Sequence, residues 1–463
     1  LKSTTDHFWH YTFGVYGSQQ WLKTSAPVDF GEAMTTKIAA PIQTAMQASM
    51  ASSMARRFVA QGMSEEAAYQ MALQTIERAG GVSMDVSMAV PGLFHTPQFN
   101  LGVFHESHFD LTNRLTATLG LRYDYNHVKI GYDTEALMAM TAHVMGQVAT
   151  NHLVSRLSHA ACNHFNQLLP KVGLSYRIGN LGSMLYAVTS KGYRAGGYNI
   201  QMFSDILQSE LNANRTNAMR GDYEVPHTTD DYNRVDRTIA YKPETSWNYE
   251  LGAHLNLLGN ALHMDLAAYY MQVKNQQLSV MAGTYGFGRM MVNAGRSRSM
   301  GVEASLRGSA DDDRLSWTVS YGYTHATFRQ YRETQTIDGV DREVDYRGKR
   351  VPYVPMHTLG VTADYRLPLS GPTLHALTLG ANVNAQGGIY WDEANTQSQP
   401  FYAVFGAHAD LDLGIVQLSV WGRNLTQTRY NTFALSSGAS GEKLWFGNRA
   451  NPRQIGVDVR LHF

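Results

Sequence analysis

The final residues, Gln454 to Phe463, constrain the fold more than any other stretch. Ile455, Val457, Val459, Leu461 and Phe463 alternate there with Gln454, Gly456, Asp458, Arg460 and His462. A period of two gives a strand one apolar face and one wet face. About ten residues is also what a tilted strand needs to cross a bilayer. The apolar face must meet either a protein core or lipid.

The same alternation recurs. Its apolar members are Leu115, Ala117, Leu119, Leu121 and Tyr123 in one stretch, Leu262, Met264, Leu266, Ala268 and Tyr270 in another, and Leu315, Trp317, Val319, Tyr321 and Tyr323 in a third. A fourth carries Leu359, Val361, Ala363, Tyr365 and Leu367. Thr, Ser, Gly, Asp and Arg occupy the opposite faces. Tyr gathers toward strand ends, as in an aromatic girdle at a membrane interface. A soluble sandwich would bury the apolar faces and use shorter strands. Strands this long and this numerous favour an all-β fold, a transmembrane antiparallel β-barrel.

Composition agrees. Basic and acidic residues balance at 38 each, so nothing points to a nucleic-acid partner. Tyr outnumbers Phe by 26 to 17, which suits girdles and polar binding surfaces. No apolar run reaches the roughly 18 residues of a membrane helix, but barrel strands alternate and escape that criterion. A single Cys162 leaves no intramolecular disulfide framework.

Along the chain the pattern predicts about fourteen strands joined by alternating short and long connections, the asymmetry of an outer-membrane barrel. Short turns fall near 112–114, 179–182, 259–260, 309–313, 368–373 and 412–414. Three long insertions stand out. Residues 20–96 read as a helical extracellular insertion, with Ser64 capping SEEAAYQMALQTIER. Residues 131–165, rich in Met and His, read as a second helical insertion. Residues 195–240 read as a long polar extracellular loop.

Six motifs then appear in order: LPKVGLSYRI, LYAVTSKGYRAGGYN, YKPETSWNYELG, NAGRSRSMGVEASL, VWGRNLTQTRY and NPRQIGVDVRLHF. Together they resemble the barrel half of TonB-dependent outer-membrane receptors, over about residues 98–463. The resemblance implies a Gram-negative outer membrane and a barrel of about 22 strands filled by an N-terminal plug domain. It also implies import of a scarce ligand, most often a ferric siderophore-type chelate, with energy from the TonB–ExbB–ExbD complex. The plug, the TonB box and about eight early strands are not among the matching motifs. We therefore expect the chain to be one part of a longer polypeptide or of a two-piece receptor, and not to function alone. Other cargoes (a carbohydrate, a peptide, cobalamin) and a passive porin or adhesin barrel are the competing readings.

Candidate site residues follow from position. Glu244, Glu250, Glu303, Arg307 and Arg423 interrupt alternating strands and are expected on a lumen wall facing the plug, since a charge facing lipid costs about 2–4 kcal/mol at the midplane. Ligand contacts are expected at loop tips, from Tyr193, Arg194, Tyr198, Asn199, Tyr285, Phe287, Arg289, Tyr390, Trp391 and Trp445. Arg194 suits an anionic chelate and the aromatics a planar one. Gly196 and Gly197 suggest backbone angles closed to other residues. His152, His159, Cys162 and His164 lie close in sequence but match no standard metal spacing, so no metal or cofactor is expected. No catalytic motif is present, and no enzyme activity is expected.

Overall fold

The computed structural model describes residues 1–463 apart from 4–7, 282–288, 338–339, 438–443 and 463. Tyr285, Phe287 and Phe463 thus lie outside the described residues.

Fourteen long strands form one antiparallel meander: β1 Trp9–Gln20, β2 Gln98–Asp110, β3 Leu115–Val144, β4 Gln147–Ile178, β5 Ser183–Arg194, β6 Glu244–Leu257 and β7 Leu262–Lys274. It continues through β8 Arg296–Ala310, β9 Leu315–Gln330, β10 His357–Pro368, β11 Ala376–Gly387, β12 Tyr402–Asp412, β13 Val416–Arg423 and β14 Gln454–Leu461. Each strand pairs with its neighbours in sequence, and the expected short turns all fall at one end. At the opposite end the connections other than that between β3 and β4 are long, several carrying small hairpins such as Gln277–Met281 with Arg289–Asn293. On its other edge β1 takes a short pairing with Leu1–Ser3, through Lys2 opposite Thr12. Among the described residues β14 pairs only with β13.

The apolar rows of these strands are not covered by protein. Ile455, Val457 and Val459 are 71 %, 61 % and 62 % exposed, and Leu119, Leu121, Leu174 and Leu251 are exposed in the same manner. The buried clusters lie elsewhere, around the helices and loop hairpins at the long-loop end. Soluble monomers rarely expose apolar rows on strand after strand in this way.

The second insertion corrects the expectation. Residues 131–165 contain no helix. They are the outer halves of β3 and β4, which run 30 and 32 residues without a break in register and close at a tight turn. Met145 and Gly146 both take positive φ there (50° and 83°), the geometry of a two-residue hairpin turn. TEALMAMTAHVM is rich in good helix formers, but its apolar residues alternate. Ile130, Tyr132, Ala136, Met138 and Met140 share one buried face. They lie on the face opposite to that of Leu119, Leu121 and Tyr123. The apolar side of one continuous strand therefore inverts near residue 126. Below that level it faces outward, and above it faces inward onto protein.

That inner face carries the first insertion and the third. Helix α1 (Glu32–Val59) packs through Ile38 and Ile42, and α2 (Glu65–Arg78) packs on α1. The first insertion is helical over these two elements, and short strands at Val82–Val90 and Gly92–His95 pair with β3. Residues 195–240 correct the expectation of a plain loop, because they fold into α3 (Met202–Ala218) and α4 (Thr229–Ile239). Phe203, Leu207 and Leu211 of α3, with Val235 and Ile239 of α4, are buried against Leu153 and Leu157 of β4. A Thr228–Asp231 capping box opens α4. Hydrogen bonds from the Thr228 backbone and hydroxyl hold the Asp231 carboxyl at about 2, below the usual carboxylate range.

Candidate functional site

Strand register fixes which side chains face inward. The residues opposite the exposed apolar rows are polar, and they line one continuous wall. Glu250 of β6 accepts hydrogen bonds from the Tyr186 hydroxyl (2.8 Å) and from Asn248 Nδ2 (3.2 Å). The Tyr186 ring stacks on His254, centroids 5.1 Å apart. His254 Nδ1 lies 2.6 Å from Asp265 Oδ1, and Arg307 approaches the same carboxylate at 3.9 Å. Glu303 stands opposite Ala267 and Gly322 in register. Glu250, His254, Asp265 and Glu303 all line one cleft of about 950 Å³, which Gln386, Tyr402 and Tyr430 border on its far side. Tyr402 and Tyr430 stack at 3.9 Å, and Gln386 donates to the Tyr402 hydroxyl at 2.6 Å. Further along, His408 sits between Asp364 (3.3 Å) and Asp410 (3.5 Å). These pairs are water-exposed and mixed in sign, so each contributes little to stability. Their carboxylates (Glu250, Asp265, Glu303, Asp364 and Asp410) outnumber the one arginine, Arg307, so the wall is acidic.

The five expected lumen charges separate. Glu250, Glu303 and Arg307 share this wall. Arg423 lies on β13, five strands from β8 around the sheet, its guanidinium 4.7 Å from the Trp421 ring, whose Nε1 donates to Asp458. Glu244 differs from the expectation: at the outer end of β6 its carboxylate accepts the Gln277 backbone N–H at 2.6 Å. It ties a loop hairpin to the strand end.

At the long-loop end, Arg194 is exposed and stands opposite Glu244. The Tyr193 hydroxyl is buried and, among the described residues, unpartnered. Gly196 and Gly197 are explained by close approach, since neither has a positive φ. Tyr241 fills the space a Cβ would need, its hydroxyl 2.5 Å from the Cβ position of Gly197. Tyr198 packs against the main core. Asn199 was expected at a loop tip but is buried. Its side chain donates to Met291 O (2.9 Å) and accepts from Met291 N (2.6 Å). Trp391 is likewise buried with Ile389 and Ala434, with Tyr353 and Trp445 packed against that cluster. Tyr390 contributes its carbonyl to Tyr353 N–H. Arg289 stands opposite Met281 in a hairpin. The expected ligand residues thus gather at two loop bases, not at one point. His159 faces inward toward Asp236 (3.6 Å), while Cys162 and His164 lie on the other face of β4. Among the described residues no group of three or more His, Cys, Asp or Glu could hold a metal ion.

A family model described as TonB dependent receptor-like, beta-barrel matches residues 68–425. The chain belongs to that family. It is a family of receptors, not of enzymes. A probable TonB-dependent siderophore receptor, PiuA, of Acinetobacter baumannii is 27 % identical over 199 residues, 42 % of this chain and 25 % of the relative. A ferrioxamine receptor of Yersinia enterocolitica is 26 % identical over 226 residues, 47 % and 28 % of the two chains. The ferric yersiniabactin uptake receptor FyuA of Yersinia pestis shares the fold with a TM-score of 0.57 at 17 % identity, covering 100 % of this chain and 60 % of its own. The chain aligns with about a quarter of the length of these curated relatives and 60 % of FyuA. In this TonB-dependent receptor barrel, the lumen residues Tyr186, His254, Asp265, Gln386 and Tyr402 were not singled out from the sequence. The signal was available: each shares its strand face with the polar set once the apolar rows are assigned outward.

Proposed function

We propose that this chain supplies fourteen strands of a Gram-negative outer-membrane receptor that takes up a ferric siderophore-type chelate. The observation that carries the reading is the pairing of an uncovered apolar band with a polar, charged inner wall. Lipid is the solvent that makes such a surface stable, and the closed sheet of a barrel satisfies its backbone groups. A plug domain, in the same polypeptide or as a separate chain, would dock on the wall through Glu250, Glu303 and Arg307, and would couple to TonB–ExbB–ExbD.

The helices above the wall support a receptor with an external cap. They pack on the strand face that is continuous with the lumen, and so stand over its mouth. Arg194 and the buried Tyr193 hydroxyl, unpartnered among the described residues, lie where the wall meets the cap. They are the residues we assign to ligand contact, with Tyr198 beside them. Receptor relatives named for siderophores favour an iron chelate over other cargoes.

The test is uptake of radiolabelled ferric chelates by the native host with the gene intact, deleted and restored. Loss of one chelate's uptake on deletion, and equal loss on removing TonB, is the expected outcome. Uptake that persists without TonB would overturn the reading in favour of a passive barrel. Loss of a sugar, peptide or cobalamin alone would keep the transport mechanism and change the cargo.

A further inference from the structure

The outward face of β7–β9 changes character at its long-loop end. Val302 and Tyr323 pair at one level of that face, and Tyr270, Met300 and His325 stand at the next. One level further out, register places Gln272, Arg298 and Thr327 side by side on β7, β8 and β9, with Arg350 of the β9–β10 connection bridged to Thr327. One level beyond that, Lys274 stands opposite Arg296. Parity puts all of them on the same outward side as Leu266 and Val302. Phe328, of the opposite parity, is buried among the loop hairpins.

Arg298 and Arg350 flank Thr327. Arg298 Nε reaches the Thr327 hydroxyl at 3.4 Å, and Thr327 is only 5 % exposed. Arg350 is pinned from behind, its backbone N–H donating to Asn395 Oδ1 (2.7 Å) and its Nη1 to Thr324 O (3.4 Å). Among the described residues none of the four cations forms an ion pair with a carboxylate. Strands are about 4.8 Å apart, so the two arginine backbones are about 10 Å apart with one threonine between them. Unpaired guanidiniums on an outward face would be costly at mid-membrane but not at its edge. Their partner is therefore expected at the edge itself, directly above Tyr270 and Tyr323.

We propose that this face binds the phosphate of an anionic lipid head group in the outer leaflet, held between Arg298 and Arg350, with Lys274 and Arg296 neutralising further head-group charge. Phosphate oxygens accept two parallel N–H bonds from a guanidinium, and basic residues just outside a membrane's apolar band attract anionic lipid. The acyl chains of such a lipid would continue onto the exposed Val302 and Leu266 rows. The inference rests on the membrane reading above.

The test uses the complete receptor purified from its own outer membrane, as wild type and as the double variant Arg298→Ala with Arg350→Ala. Native mass spectrometry reads co-purifying phosphorylated lipid, and heat-modifiable gel migration reads barrel assembly. The expected result is a folded variant whose retention of phosphorylated lipid falls roughly 30-fold. The conservative pair Arg298→Lys with Arg350→Lys should restore part of it. Equal retention in a folded alanine variant would overturn the lipid site alone. Thermal stabilisation of the wild type by inorganic phosphate as strong as that by phosphatidylglycerol vesicles would also overturn it, assigning a free-anion site. A wild type without heat-modifiable migration would overturn the membrane reading and the site together.

Discussion

At the scale of single residues, two buried polar groups in the cap decide how it is held. Both carboxylate oxygens of Asp205 in α3 are buried and, among the described residues, without a hydrogen-bond partner. Burial pushes this carboxyl up to about 6. An unfolded Asp titrates near 3.9, so folding takes up a proton between those values. The group's contribution is full below about 4 and lost as pH rises through about 6. Asp205→Asn should therefore make the cap's resistance to amide exchange flat between about pH 4 and 6, where the wild type loosens. An identical pH profile in the two proteins would place the carboxylate in water. Asn199 offers the second test. Asn199→Ala leaves the Met291 N–H and C=O unpaired, at a cost of about 1–3 kcal/mol. Faster protease nicking within 195–240, with barrel migration unchanged, is the expected result.

At the scale of elements, the inversion in β3 separates two environments on one strand. Leu119 and Leu137 share a parity and are both exposed, 50 % and 41 %. Lipid faces the first in our reading, and water faces the second. Leu119→Arg should cost about 2–4 kcal/mol and reduce assembly into the membrane. Leu137→Arg should stay within about 0.5 kcal/mol. Heat-modifiable migration of the two variants reads the difference directly, and equal behaviour would mean that the inversion does not mark the membrane edge. The same strand explains why residues 131–165 were expected as helix. Local propensity favours helix by tenths of a kcal/mol per residue. Continuation of an already paired hairpin, with Ile130, Met138, Leu153 and Leu157 closing over α3, outweighs it.

At the scale of the whole molecule, the lumen wall is built from strands far apart in sequence. Glu250 and Glu303 lie on β6 and β8, and Tyr402 across the cleft lies on β12. Glu250→Gln with Glu303→Gln removes two negative charges from the surface a plug would meet. Exposed charge pairs are worth up to about 1 kcal/mol each, so ligand uptake should fall about fivefold while barrel assembly is unaffected. Unchanged uptake would mark these carboxylates as a solvated wall with no specific partner.

The sequence by itself determined the strands, because a period of two is local and each strand carries its own. It also determined their order and the alternation of short and long connections, since each short turn is written in a few adjacent residues. Six ordered motifs were enough to indicate the family. Only the tertiary structure decided what each face meets. Apolar alternation reads the same whether lipid or α3 lies against it, so the switch near residue 126 and the strand character of 131–165 were not legible locally. Nor was the commitment of Asn199, Glu244 and Trp391 to packing. Their partners, Met291, Gln277 and Ala434, lie tens of residues away, and no spacing along the chain records a contact between loops.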